Sequence, residues 1–240
     1  MSFTPRLWCL LPAAGIGQRM GADYPKQYLP LAGKTLLEVT LGKLHQAFPA
    51  ATLILPLHPD DHWWPDVHQR ILQNHPNLQL ITTLGGAERA DSVLCGLKIL
   101  EQQAAAADWV LVHDMARPCV TQSDLFKLWD TLQNHAVGGL LAAPVADTMK
   151  RSNPQGQVET TVERSQLWHA LTPQLFRYGL LKNALQTALD QGLNITDEAS
   201  ALEAAGYSPQ LVSGRRDNIK VTHPEDLPLA ELLLKSHSLS

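Results

Sequence analysis

The stretch "LLPAAGIGQRMGADYPKQYLPLAGKTLLE", Leu10 to Glu38, decides how this chain is read. An apolar run ends at Leu11, meets Pro12, and gives way to a turn with Gly15 and Gly17; two cations, Arg19 and Lys26, follow before a helix-like segment. A short unbroken apolar run is how a strand covered on both faces is written, and glycine at its exit lets backbone amides approach phosphate oxygens. Two familiar phosphate motifs fail. The dinucleotide fingerprint needs a third glycine at position 20, which is Met20, and an acidic residue closing the second strand, which "LILPLH" lacks. "GKT" at 33–35 is not a P-loop, because Tyr28 stands where its first glycine belongs. What remains is a bare turn with a guanidinium fork and an ammonium point charge, a pairing suited to a polyphosphate. A tight connection with surface cations is the plainer alternative.

Working outward, "LWCLL", "ATLILPL", "LQLITTL", "DWVLVH" and "GGLLAAPV" read as further strands apolar on both faces. Between them the spacing predicts helices over Lys34–Ala47, Asp60–Asn74, Glu88–Gln103 and Ser123–His135; Ala90, Val93, Leu94, Leu97 and Leu100 form one apolar stripe in the third. The alternation predicts an α/β fold, an open, mostly parallel Rossmann-like sheet flanked by helices, with ligands beyond the carboxyl ends of the strands. Gly15, Gly85–Gly86 and Asp114 would meet there. Near Asp147 the pattern changes: "DTMKRSNPQGQVETTVERSQLW" has a polar turn at Asn153–Gly156 between β-prone, half-polar flanks, which reads as a protruding β-hairpin too polar for a core. A flap over the site and an arm toward a second subunit are both open to it. The chain is therefore expected to be one domain over 1–240, with 145–167 as an inserted β-arm. Helices are expected again at Tyr178–Gln191 and Asp197–Ala205, then a strand at "NIKVT" and a last helix capped by Thr222 with Pro224 in its first turn.

The 240 residues carry a net charge of −4, and the sequence pI is about 6.2, which argues against a general nucleic-acid binder. No apolar stretch approaches the roughly 20 residues that span a bilayer. Cys9, Cys95 and Cys119 are sparse, odd in number and without zinc spacing, as a reducing cytoplasm tolerates. His58 and His62 have metal-ligand spacing but no further ligand nearby, and His113 reads as a structural histidine at a strand end.

The opening signature resembles the wider nucleotidyltransferase superfamily. "GGAERADSVLCGL", "VLVHDMARP", "APVADTMKR", "TVERSQLWHALTPQLF", "ITDEASALE" and "DNIKVTHPEDL" follow in order across nearly the whole chain. Together they resemble the cytidylyltransferases that act on 2-C-methyl-D-erythritol 4-phosphate in the non-mevalonate isoprenoid pathway. The resemblance implies transfer of a cytidylyl group from CTP with release of pyrophosphate, Mg²⁺ or another divalent cation as cofactor, and a homodimer joined through the β-arm. It implies catalytic roles for Arg19, Lys26, Arg164 and Lys220. Nucleotide contacts fall to Ala13, Ala14, Gly15, Gly17, Gly86, Ser92 and Asp114, acceptor contacts to Thr148, Arg164, Thr172 and Thr196, and metal contacts to Asp114 and Asp217. Thr148 and Arg164 would complete the neighbour's site. Two positions depart from the usual family form: Ala87 replaces a frequent acidic residue, and Gln18 a frequent second arginine. A related enzyme using ribitol 5-phosphate, and a CTP-sensing module without chemistry, would keep the glycine turn. The former should differ in the arm and the segments of Thr172 and Thr196, and the latter has no reason to keep Lys220 with Arg164.

Overall fold

The computed structural model describes residues 4–15 and 25–237. Strand β1 (Leu7–Leu10) enters the turn quoted above; beyond it come a small β-ladder, β2 (Pro30–Leu31) with β3 (Lys34–Thr35), and helix α1 (Leu36–Ala47). Thr35 starts α1 by a capping box, its hydroxyl accepting from the Glu38 amide while the Glu38 carboxylate accepts from the Thr35 amide. The chain continues through β4 (Thr52–Leu57), α2 (Trp64–Asn74), β5 (Gln79–Leu84), α3 (Arg89–Lys98), β6 (Trp109–Val112), α4 (Gln122–Leu132) and β7 (Gly138–Pro144). A hairpin of β8 (Met149–Ser152) and β9 (Val158–Val162) precedes β10 (Trp168–Arg177), α5 (Tyr178–Asp190), α6 (Glu198–Ala204), β11 (Gln210–Ser213) and α7 (Asp226–His237).

Seven strands form one sheet in the order β11-β7-β10-β6-β1-β4-β5. All run parallel except β10, which lies antiparallel between β6 and β7. Strand alternation divides the core cleanly. Cys9, Leu53, Leu55, Leu111 and Leu175 face α1, α2 and α4; Trp8, Leu10, Ile54, Val110 and Phe176 face α3, α5 and α6. Both faces are covered, which is why these strands have no polar side. A third, smaller cluster packs α7 through Ala230 and Leu234 against Leu29, Leu31, Ala116, Cys119 and Val221.

Three expectations are corrected. "NIKVT" forms no strand: its edge position belongs to β11, and Val221 makes a single backbone bond, to the Ala116 carbonyl at 2.8 Å. The last helix begins at Asp226 rather than at Thr222, because the Asp226 carboxylate accepts from the Thr222 and His223 amides at 2.7 and 2.8 Å and closes the preceding turn itself. The antiparallel β10 was not expected at all. Pro173 and the polar His169, Thr172 and Gln174 argue against an internal strand, and the sheet accepts them through a register shift between Ala170 and Gln174. The hairpin does form: Asn153 Oδ1 accepts from the Gln155 and Gln157 amides, Gly156 takes φ +80°, and β8 and β9 are exposed almost throughout.

Candidate active site

Strand order sets the place. β1 is flanked by β4 on one side and β6 on the other, so a crevice opens where its carboxyl end meets theirs. On the β4 side, the Ala13 amide donates to Pro56 O at 2.9 Å and the Gly85 amide to Leu57 O at 2.7 Å. A Cβ on Gly85 would lie 2.3 Å from Ala14 Cβ, so only glycine lets these two backbones form one flat wall. The Ser92 hydroxyl is buried and accepts from the Gly86 amide at 3.1 Å, fixing the loop rather than standing free for a ligand. Gly15 is exposed with open space about it. Gly17 and Arg19 lie outside the described residues.

On the β6 side Asp114 is the centre. Its side chain is 9% exposed, and Arg89 Nε reaches Oδ1 at 2.8 Å, while Lys220 Nζ reaches Oδ2 at 2.7 Å and Arg117 Nε stands 3.9 Å from Oδ2. Burial alone would raise this carboxyl's pKa, but Arg89, Lys220 and Arg117 outweigh it and hold it well below the usual range. Arg89 extends the cluster: Nη1 and Nη2 grip both Glu198 oxygens at 2.7 and 3.1 Å. Lys26 arrives from the other flank, its Nζ 3.5 Å from the carbonyl of Val221, the residue after Lys220. Beside it, buried Gln27 donates to Ala13 O at 2.9 Å and fastens the glycine turn to the Lys26 segment.

A buried polar frame holds these parts. The Asp114 amide donates to the Thr172 hydroxyl at 3.0 Å, and Thr172 Oγ1 lies 3.0 Å from His113 Nδ1. His113 Nε2 lies 3.0 Å from Arg117 O, a carbonyl that only accepts, so the proton sits on Nε2 and Thr172 donates to Nδ1. Burial pushes the His113 pKa down to about 4, which keeps it neutral. Asn218 Nδ2 donates to Thr172 O at 2.8 Å while Asn218 O accepts from Arg117 Nη1 at 2.7 Å, tying the Lys220 segment to β6 and β10.

The structure thus brings together Ala13, Ala14, Gly86, Ser92, Asp114, Thr172, Lys26 and Lys220. Thr196 is exposed just before α6, its amide donating to Ser200 Oγ at 3.2 Å. Thr148 and Arg164 lie exposed at the base of the hairpin, where Arg164 Nη1 donates to Ala146 O. Asp217 turns to Arg215 and His237, with His237 Nε2 3.0 Å from Oδ2, and Arg215 above all lowers its pKa to about 2. Sequence reasoning missed Arg89 and Glu198. One signal was present: a cation in the first turn of a helix opposes the helix dipole and implies a buried partner.

A mostly parallel α/β sheet with a backbone wall and a cationic cluster at one crevice has the make-up of a nucleotidyltransferase. A profile of the 2-C-methyl-D-erythritol 4-phosphate cytidylyltransferase family matches residues 7–236. Proteins of that name from Hahella chejuensis and Chromohalobacter salexigens are 50% and 53% identical, over 96% and 95% of this chain and 93% and 90% of theirs. A crystal structure of a 4-diphosphocytidyl-2C-methyl-D-erythritol synthase superposes with TM-score 0.81 at 37% identity, covering 97% of this chain and all (100%) of that one. The cytidylyltransferase from Thermus thermophilus gives 0.75 at 32% identity, with coverage of 96% and 99%. This chain belongs to the 2-C-methyl-D-erythritol 4-phosphate cytidylyltransferase family.

Proposed function

We infer that this enzyme transfers the cytidylyl group of CTP to the phosphate of 2-C-methyl-D-erythritol 4-phosphate, giving 4-diphosphocytidyl-2-C-methyl-D-erythritol and pyrophosphate, a step of isoprenoid precursor synthesis. A phosphate oxygen attacks the α-phosphorus in line with the departing pyrophosphate. The nucleophile is already an anion, so no general base is needed, and neutral His113 is buried away from that task. Positioning and charge neutralisation carry the acceleration. The observation that supports this reading best is Lys220, 39% exposed at its side chain and resting on Asp114, with Lys26 beside the carbonyl of the next residue, Val221. From there Lys220 reaches the α-phosphate and Lys26 the triphosphate, with Arg19 assigned to the same phosphates. Ala14 and the carbonyls of Ala13 and Gly86 offer the cytosine hydrogen-bonding groups, the Ala13 and Gly86 amides being held by Pro56 and Ser92, with Gly15 and Gly17 at the phosphates.

Among the described residues no three His, Cys, Asp or Glu side chains come together as a metal cage. One carboxylate at a strand end does fit a divalent cation carried in on phosphate oxygens, the usual habit of Mg²⁺. Asp114 would hold it, and it would neutralise charge on the leaving pyrophosphate. Asp217, engaged by Arg215 and His237, is a lesser candidate. For the acceptor, Thr172 and Thr196 line the β10 and α6 side, while Arg164 and Thr148 come from the hairpin of a second copy, making a homodimer in which each arm completes the other site. Free cysteines and phosphorylated substrates support a cytoplasmic setting. Pyrophosphate release from CTP tests the acceptor: turnover with methylerythritol phosphate and none with ribitol 5-phosphate is expected, and the reverse pattern overturns the assignment.

A further inference from the structure

When the Lys220 ammonium turns toward a phosphate its hold on Asp114 loosens, and a buried carboxylate loses part of its nearest positive charge. We propose that Arg89, anchored by Glu198, is a positioning residue that keeps Asp114 neutralised while Lys220 moves to the substrate phosphate. The inference rests on the reading of Lys220 given above.

The two Asp114 oxygens are divided between the two cations. Arg89 holds Oδ1 at 2.8 Å and Lys220 holds Oδ2 at 2.7 Å. Arg117 Nε, buried without a hydrogen-bond partner, stands 3.9 Å from Oδ2, so Arg117 contributes charge to Asp114 but no direct bond. Arg89 is pinned at three points, through Nε to Asp114 and through both terminal nitrogens to Glu198, whose side chain is 2% exposed. Lys220 is a flexible stem with one strong contact in this cluster and open water beside it. An arriving phosphate therefore draws Lys220 and leaves Arg89 in place. The charges agree. Asp114 and Glu198 cancel Arg89 and Arg117, so the Lys220 ammonium is the excess positive charge among these side chains, and its release leaves them neutral before any phosphate-borne divalent cation arrives. Glu198 opens α6, two residues after Thr196, so the same clamp joins α3, which carries the nucleotide-side Ser92, to the acceptor-side loop.

Removing one side of the pair strands a buried charge, so the test replaces both: Arg89→Gln with Glu198→Gln, made in the native chain and again with Lys220→Ala. The kcat/KM for pyrophosphate release is measured with saturating CTP and varied methylerythritol phosphate. Groups that act through one another are not additive, so the expected loss is at least about tenfold when Lys220 is present and within about threefold when it is absent. Equal losses in both backgrounds would show that the pair only braces α3 against α6, and the proposal falls. If Lys220→Ala alone leaves kcat/KM unchanged, the underlying role of Lys220 falls instead. Arg89→Lys keeps the charge but not the three-point grip, and supplies the same comparison should the double replacement fold poorly. It too is expected to lower kcat/KM only where Lys220 remains, and losses alike in both backgrounds overturn the proposal.

Discussion

Lys26 and His113 mark two ways a residue serves this site. Lys26 is half-buried with its ammonium 3.5 Å from the Val221 carbonyl, and we assign it to the triphosphate. Lys26→Ala should lower kcat about a hundredfold or more, the order seen when one charge-stabilising group is removed, with circular dichroism and melting temperature nearly unchanged. His113 works by staying neutral. Its folded pKa is about 4 against an ordinary 6.5, so the unfolded chain takes up a proton that the folded chain refuses. Stability from this group is fully present above pH 6.5 and is lost as pH falls toward 4, about 3 kcal/mol across the window. The Asp114 carboxyl, lowered by folding, adds a loss of the same sign only below the ordinary carboxylate range. Urea midpoints measured between pH 7 and 4 should show this slope, and His113→Gln should flatten it.

Among the elements, the helices were the most legible. α1, α2 and α5 begin and end within a few residues of their periodic patterns because one apolar face must meet the sheet. The inner parallel strands were legible for the converse reason, being covered on both sides, whereas the largely exposed edge strand β11 was not. β10 was hidden: its middle carries the groups that build the site, so Thr172 and Gln174 replace the apolar residues that would have announced a strand. The site divides likewise. Glycines and lone cations beside a strand exit can be read from sequence, whereas Arg89 meeting Glu198 across 109 positions depends on how α3 and α6 pack. α6 itself is short and depends on its cap. Asp197 accepts from the Ser200 amide at 2.9 Å and from Gln174 Nε2 at 2.8 Å, joining helix to sheet. Asp197→Ala should cost about 1 to 2 kcal/mol in urea unfolding and, under the proposed assignment of the adjoining Thr196 to the acceptor, raise the acceptor KM more than the CTP KM.

At the scale of the molecule, the cations assigned to one reaction lie on two surfaces. Lys26 and Lys220 share the crevice; Arg164 stands on the exposed hairpin. A two-fold assembly in which arms are exchanged makes a subunit-mixing experiment informative. Under the proposed exchange of arms, Arg164→Ala and Lys220→Ala dimers should each be nearly inactive. Unfolded, mixed and refolded together, they should recover about a quarter of native activity, because half the dimers are hybrids and each hybrid has one intact site. No recovery from a mixture that native mass spectrometry shows to contain hybrids would mean that each chain uses its own Arg164.

The placement of β10 also bears on the order in which the protein is made. By the time the ribosome has released β6, the strands β5, β4, β1 and β6 can pair, but the outer rim of β6 waits for Trp168–Arg177, which follow only after α4, β7 and the hairpin. At about 5–20 residues per second that delay lasts some seconds. Throughout it the nascent chain displays the open outer edge of a wholly apolar strand, "WVLV", to any other edge within reach. Crowded translation is therefore a condition that exposes this edge to mispairing.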